Sequence, residues 1–238
     1  PMPGGAAAVR NPLRMAYGVL YEFDLLEHPG AAEALLALGD QAEVCDQMIE
    51  RGLNTPYTSS VGRLFDAASA LLGVCRQPSY DGQPAIELEA AMGAVPEELP
   101  ATDVYHIDVV KNTATETSTA LDTSVLLFDA APAFKALLDD IASGVPVAAI
   151  ARRFHDAFVN AIVMAAQLVQ SLYGITTVAL SGGVFLNRYL LEHAVPALQG
   201  SGFTVALNRD LPPSDGCISY GQAVVAWAAR QTDETAGK

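Results

Sequence analysis

The chain has 238 residues, 51% of them hydrophobic, enough for one large domain or two small ones with a packed core. Its 13 Lys and Arg stand against 27 Asp and Glu, and the formal net charge of −14 excludes the clustered basic surface that nucleic-acid phosphates require. Cys45, Cys75 and Cys217 are odd in number and form no CxxC pair, which argues against a disulfide framework or zinc ribbon and for a reducing cytoplasm.

The opening Pro1-Met2-Pro3-Gly4-Gly5 lacks the charged start and apolar core of a signal peptide, and it looks cut from something longer. The periodicity then predicts helices over residues 12–26, 31–38 and 44–51, with His28-Pro29-Gly30 as a break. Thr58-Ser59-Ser60 is an N-cap cluster for a helix carrying Leu64, Phe65, Ala68, Leu71 and Leu72, closed by Gly73. Tyr80-Asp81-Gly82 is a turn, and residues 84–92 are another short helix. A Pro- and Glu-rich linker at 96–103 separates this helical part, 1–103, from the remainder, 104–238.

Strand patterns begin after the linker, over residues 105–110 and 125–128, joined by a polar loop at 111–122. Apolar positions from Val147 to Leu172 recur every three or four residues through a long amphipathic helix that Gly174 ends. Its most apolar tract, 157–169, is interrupted by Asn160 and Gln167 and is shorter than the ~20 residues a membrane span needs. Residues 178–180 and 203–207 are strands, and 219–230 is a final helix, with 234–238 expected to fray. The order implies an α/β fold in which a helical N-terminal part precedes a lobe with a mixed sheet.

The stretch from Thr177 to Tyr189 combines a strand, the tight turn Ser181-Gly182-Gly183 and a helix-type pattern that starts at once. Two glycines let the backbone approach a ligand, and the first amides of a following helix have no intrahelical acceptor, a combination suited to phosphate. An ordinary β-α turn is the alternative. The Walker loop is excluded because no Lys-Ser/Thr pair follows, and a nucleophile elbow is excluded because Ala179 stands where Gly is needed.

Four stretches, residues 58–73, 79–89, 181–187 and 214–223, together with Pro1-Met-Pro-Gly-Gly5 and Arg10-Asn-Pro-Leu-Arg-Met15, resemble the HypF-type carbamoyltransferase family of [NiFe]-hydrogenase maturation. The resemblance covers nearly the whole chain. It implies a lobe of the ASKHA (actin-like ATPase) superfamily, dependent on ATP and carbamoyl phosphate. Such a lobe passes the carbamoyl group of carbamoyl-adenylate to the C-terminal cysteine of a HypE-like acceptor protein.

The resemblance also implies site roles. Gly62 and Asp66, four apart on a helix start, would hold ribose hydroxyls, with a solvated acid as the alternative for Asp66. Arg63 would supply a planar cation for a phosphate or carbamoyl oxygen, or else pair with a nearby carboxylate. Ser181, Gly182 and Gly183 would face the nucleotide phosphate through backbone amides, and Asn187 would reach base or ribose unless it is a surface Asn. His155 echoes a Phe-His pair of the family and would contact substrate, a partly buried helix histidine being the alternative.

Asp215 in Asp-Gly-Cys-Ile-Ser matches a ligand of a divalent metal, iron or zinc, and a helix cap is its alternative. In the family two histidines four apart complete that site. His28, His106, His155 and His193 supply no such pair, so the metal site is expected to be incomplete here and the chain to be one lobe of two. An apolar face left uncovered would favour a homo-oligomer. A non-catalytic nucleotide- or partner-binding module and a small-molecule O-carbamoyltransferase are the alternative functions.

Overall fold

The computed structural model describes residues 1–93, 104–111 and 126–236, so the expected linker at 96–103 and most of the loop at 111–122 lie outside the described residues. Two short helices open the chain, α1 (Ala6–Arg10) and α2 (Pro12–Glu22). The Asn11 side chain accepts from the Leu13 amide and Pro12 occupies the first turn of α2, so the start of this helix is fixed by its own residues. It ends at Glu22, short of the expected 26, because Asp24 takes a left-handed φ of 56° that a helix cannot propagate through. A 3-10 turn (Pro29–Ala31) leads to α3 (Ala32–Leu38), followed by α4 (Gln41–Glu50), α5 (Val61–Leu71) and α6 (Gln83–Ala91).

Helix α5 is the hub of this part, packing on both α2 and α6, with Phe65 and every residue from Ala67 to Leu71 buried. Its alanines let the partner backbones come close, which is why so short a helix buries about two whole turns on all sides.

Strands β1 (Asp108–Lys111) and β2 (Leu126–Asp129) pair antiparallel, with Val109 opposite Phe128. Helix α7 (Ala131–Ala142) follows, an element absent from the sequence reading although Phe134, Leu137, Leu138 and Ile141 have helical spacing. Then come α8 (Val147–Tyr173), β3 (Thr177–Leu180), a 3-10 turn (Gly183–Leu186), α9 (Arg188–Gly200), β4 (Thr204–Leu207), a 3-10 turn (Asp215–Cys217) and α10 (Ile218–Ala236). The α/β class is as expected, but the mixed sheet is not formed among the described residues. There β1–β2 and the parallel pair β3–β4 are separate sheets, because β1 rests on α8 whereas β4 is held by the crossover helix α9.

Among the described residues a single hydrophobic core runs from Ala8 in α1 to Phe203 before β4, so residues on both sides of position 103 share it. Its centre is aromatic: Phe65 lies 5.3 Å from Phe154 and 5.0 Å from Phe158, and Phe154 lies 5.4 Å from Phe134. At Gly30 a Cβ would fall 2.1 Å from the Leu138 carbonyl oxygen, so only glycine lets the first 3-10 turn sit against α7.

The chain's last helix has a different character. Residues 218–230 of α10 are exposed along their whole length, including Val225 and Trp227, and the helix continues to Ala236, past the expected fraying point. Among the described residues no helix is long and apolar enough to cross a membrane.

Because Phe154 is fully buried and touches three other rings, Phe154→Ala is expected to destabilise the chain by about 3–5 kcal/mol. Urea denaturation of the two proteins at one pH measures the loss, and a difference under 1 kcal/mol would show that the core collapses around the deletion.

Candidate functional site

Strand β3 ends on the buried Leu180, and the chain then turns at Gly182, whose φ of 107° and ψ of 159° suit glycine alone. The Gly182 amide donates to the Pro213 carbonyl at 2.6 Å, tying this turn to the loop that delivers Asp215. A helix does not start at once, contrary to expectation. The Phe185 amide donates to Gly182 O and the Asn187 amide to Val184 O, closing a four-residue 3-10 turn. Asn187 then leaves helical geometry, with ψ at 111°, and α9 begins at Arg188. Gly183 and Val184 therefore head a short turn rather than a long helix, and their amides carry less aligned dipole than a full helix would provide.

These residues form one wall of a cleft of about 630 Å³ whose other wall is the start of α5 and the α5–α6 turn. Of the residues singled out in the sequence, Gly62, Arg63, Asp66, Gly183, Asn187 and Asp215 line it together. Ser181, Gly182 and His155 do not. Ser181 is exposed outside the cleft, the Gly182 amide is consumed by Pro213, and His155 is 0% exposed on α8. His155 is thus a buried helix histidine that does not line the cleft, the alternative to the substrate contact expected of it.

Arg63 is clamped between two carboxylates, with Nη1 2.8 Å from Asp66 Oδ2 and Nη2 2.9 Å from Asp81 Oδ1. Asp66 is no solvated acid: it is 1% exposed, and burial pushes its carboxyl up to about 6 despite the opposing pull of Arg63. Asp66 Oδ1 and the buried Ser69 Oγ, one helical turn on, have no hydrogen-bond partner among the described residues. Polar groups so deeply buried and unpaired normally mark a place that a ligand or water completes.

Asn187 is the N-cap of α9, its Oδ1 accepting from the Leu190 amide at 2.9 Å. A second cap comes from far along the chain: Glu89 Oε1 on α6 accepts from the Tyr189 amide at 2.9 Å. Glu89 and Asp81 also line the cleft; both lie in the 79–89 stretch that carries the family resemblance, but no local pattern assigns either a role because their partners lie on other elements. Behind Asn187, the His155 ring packs between Phe65 and Tyr189. Burial pushes its imidazole down to about 4, against the Ala151 carbonyl and Asp156, so the ring is neutral at ordinary pH.

Among the described residues the cleft thus sets four carboxylates, Asp66, Asp81, Glu89 and Asp215, against one guanidinium, that of Arg63. Among the described residues no three His, Cys, Asp or Glu side chains converge to hold a metal ion. Asp215 alone does not fit a divalent metal, and the chemistry attributable to this chain is that of amides, Arg63 and carboxylates.

A cleft between a glycine turn and a helix start, on one α/β core, gives this chain the form of a small-ligand-binding α/β domain. Residues 1–222 match the family described as carbamoyltransferase, Kae1-like domain, second subdomain, and the chain belongs to the HypF carbamoyltransferase family. It is 37% identical over 186 residues to carbamoyltransferase HypF of Synechocystis sp., covering 78% of this chain and 21% of that protein. A carbamoyltransferase HypF homolog of Cupriavidus necator is 34% identical over 231 residues, covering 97% of this chain and 56% of that protein. The chain thus spans between about a fifth and just over half of the length of these relatives. Among solved structures, full-length HypF in its phosphate- and nucleotide-bound form superposes with a TM-score of 0.79 at 32% identity, covering 94% of this chain and 27% of that one. HypF of T. kodakarensis gives 0.74 at 27% identity, over 95% of this chain and 28% of that one.

The raised carboxyl of Asp66 makes a pH prediction. With its folded value above the ordinary 3.8, the fold favours the protonated acid, so this contribution is present below pH 3.8 and is lost as pH rises through about 6. Asp66→Asn removes the titration. Relative to the parent, the stability of the variant is expected to improve between pH 4 and pH 7, as urea midpoints at the two pH values would record. A constant difference across that range would mean that Asp66 titrates normally.

Proposed function

We propose that this chain is the nucleotide-holding lobe of a HypF-type carbamoyltransferase, an ASKHA-type lobe that binds carbamoyl-adenylate, made from ATP and carbamoyl phosphate, and presents it to an acceptor thiol. The observation that carries the reading is the convergence of Gly183, Arg63, the buried Asp66, Asn187 and Asp215 on one cleft, although residues 62 and 215 are far apart in the chain. Likeness to a HypF structure that holds phosphate and nucleotide supports it.

Charge favours the adenylate over the triphosphate. A cleft with four carboxylates and one Arg repels a polyphosphate, whereas an acyl-adenylate brings a single negative phosphate that Arg63 and the amides of Gly183 and Val184 are able to balance. Asp66 lines the cleft and would accept from ribose hydroxyls, and the apolar Ile86, Val184 and Leu186 offer surface to a base.

In the transfer, the acceptor is a thiolate, as on the C-terminal cysteine of a HypE-like partner. Its sulfur attacks the carbamoyl carbon, a C–S bond forms, and the C–O bond to phosphate breaks so that AMP leaves with the electron pair. The contribution of this lobe is to orient the adenylate and to offset charge building on the carbamoyl and phosphate oxygens through Arg63. Cys45 and Cys75 are buried in the fold and are not acceptors.

Isothermal calorimetry with AMP and with metal-free ATP tests the reading, with AMP expected to bind tighter. At Gly183 a Cβ meets nothing within 4 Å, so Gly183→Val is expected to keep the melting temperature while weakening AMP at least about tenfold by filling the cleft wall. An intact chain that takes up no AMP at millimolar concentration, or a valine variant that binds as well as the parent, would refute it.

A further inference from the structure

His155 has no access to the cleft, yet it is bonded to a residue that lines it. Its Nδ1 lies 2.7 Å from the Ala151 carbonyl oxygen, one turn back on α8. A carbonyl only accepts, so Nδ1 must carry the proton, and in a neutral ring Nε2 is then a bare lone pair. Asn187 Nδ2 lies 3.0 Å from that lone pair and donates to it. The other end of the same carboxamide accepts from the Leu190 amide at 2.9 Å.

Each end of the Asn187 side chain therefore meets a partner of the one polarity it satisfies. Turning the amide over would set its oxygen against the lone pair of Nε2 and its NH2 against the Leu190 N–H, two repulsions in place of two bonds. Protonating His155 would have a similar effect, by placing an N–H against the NH2. The ring is itself immobilised between Phe65, 4.9 Å away, and Tyr189, 5.5 Å away.

From this geometry we infer that His155 is a positioning residue: through Nε2 it locks the orientation of the Asn187 carboxamide in the cleft, so that the second Nδ2 hydrogen is presented to the ligand as a fixed donor. The inference rests on the nucleotide-binding reading of that cleft. It extends it by assigning Asn187 a donor role, toward an acceptor atom on the base or ribose, and by giving a buried histidine on another helix control over that role.

Two substitutions separate the two ring nitrogens. His155→Gln keeps an acceptor near the Nε2 position, and His155→Asn keeps a donor near Nδ1 while losing the contact with Asn187. In calorimetry with AMP, the Gln variant is expected to bind within about threefold of the parent. The Asn variant should lose about tenfold, the scale of one buried hydrogen bond. In an Asn187→Ala background, where no carboxamide remains to be locked, His155→Asn should cost no more than about twofold. Equal losses for both variants, or an undiminished loss in the Ala background, would overturn the assignment and leave His155 a packing residue.

A second readout needs no ligand. Nitrogen NMR of the parent should show His155 as the Nδ1–H tautomer, and the Asn187 side-chain amide protons should exchange slowly with water in the parent and the Gln variant but fast in the Asn variant. Slow exchange in all three would refute the lock. If AMP does not bind while this exchange pattern holds, the nucleotide reading fails and the lock stands.

Discussion

The contact on which the rest of the molecule depends is the aromatic junction of α5 with α8. Phe65 reaches from α5 into Phe154 and Phe158, and Phe154 passes the contact on to Phe134 of α7. Rings that meet edge to face fix orientation as well as distance. One residue further along each helix from this junction stand two deeply buried polar groups, Asp66, which lines the cleft, and His155, which bonds to Asn187 behind it. The packing that joins the helices thereby sets the depth of both.

The cleft is built so that its polar groups are held by structure rather than by solvent. Arg63 is gripped by two carboxylates, Asn187 by His155 and the Leu190 amide, and the start of α9 by Glu89 from α6. Asp66 Oδ1, by contrast, has no hydrogen-bond partner among the described residues, and neither has Ser69 Oγ one turn further along α5. Pre-arranged donors of this kind need little reorganisation when a ligand arrives, and their effect is largest where water is excluded.

Helix α10 lies at the other extreme. Its residues 218–230 are exposed, and Trp227 shows 65% of its surface. The Asp215 turn that precedes it nevertheless belongs to the cleft and is anchored there through the bond between Gly182 and Pro213. The site and the bare helix are thus adjacent in sequence, and whatever covers α10 in a longer relative would sit close to the cleft.

Periodicity and punctuation in the sequence determined most of the helices, the two strand regions, the α/β class and the family, because those signals are local. Gly73 ends a helix, Gly174 ends another, and the motifs around residues 62, 182 and 215 are contiguous runs. Helix α7 was equally legible, with Pro132 in its first turn and apolar positions at 134, 137, 138 and 141. What only the tertiary structure decided is which polar groups meet. The pairs Arg63–Asp81, Glu89–Tyr189 and His155–Asn187 bridge 18, 100 and 32 positions. No local pattern encodes such a pair, since each depends on the distance between packed helices. The same holds for removing Ser181 and Gly182 from the cleft: their residue types suit a phosphate, but the amide of Gly182 was already committed to a carbonyl that only the folded chain brings near.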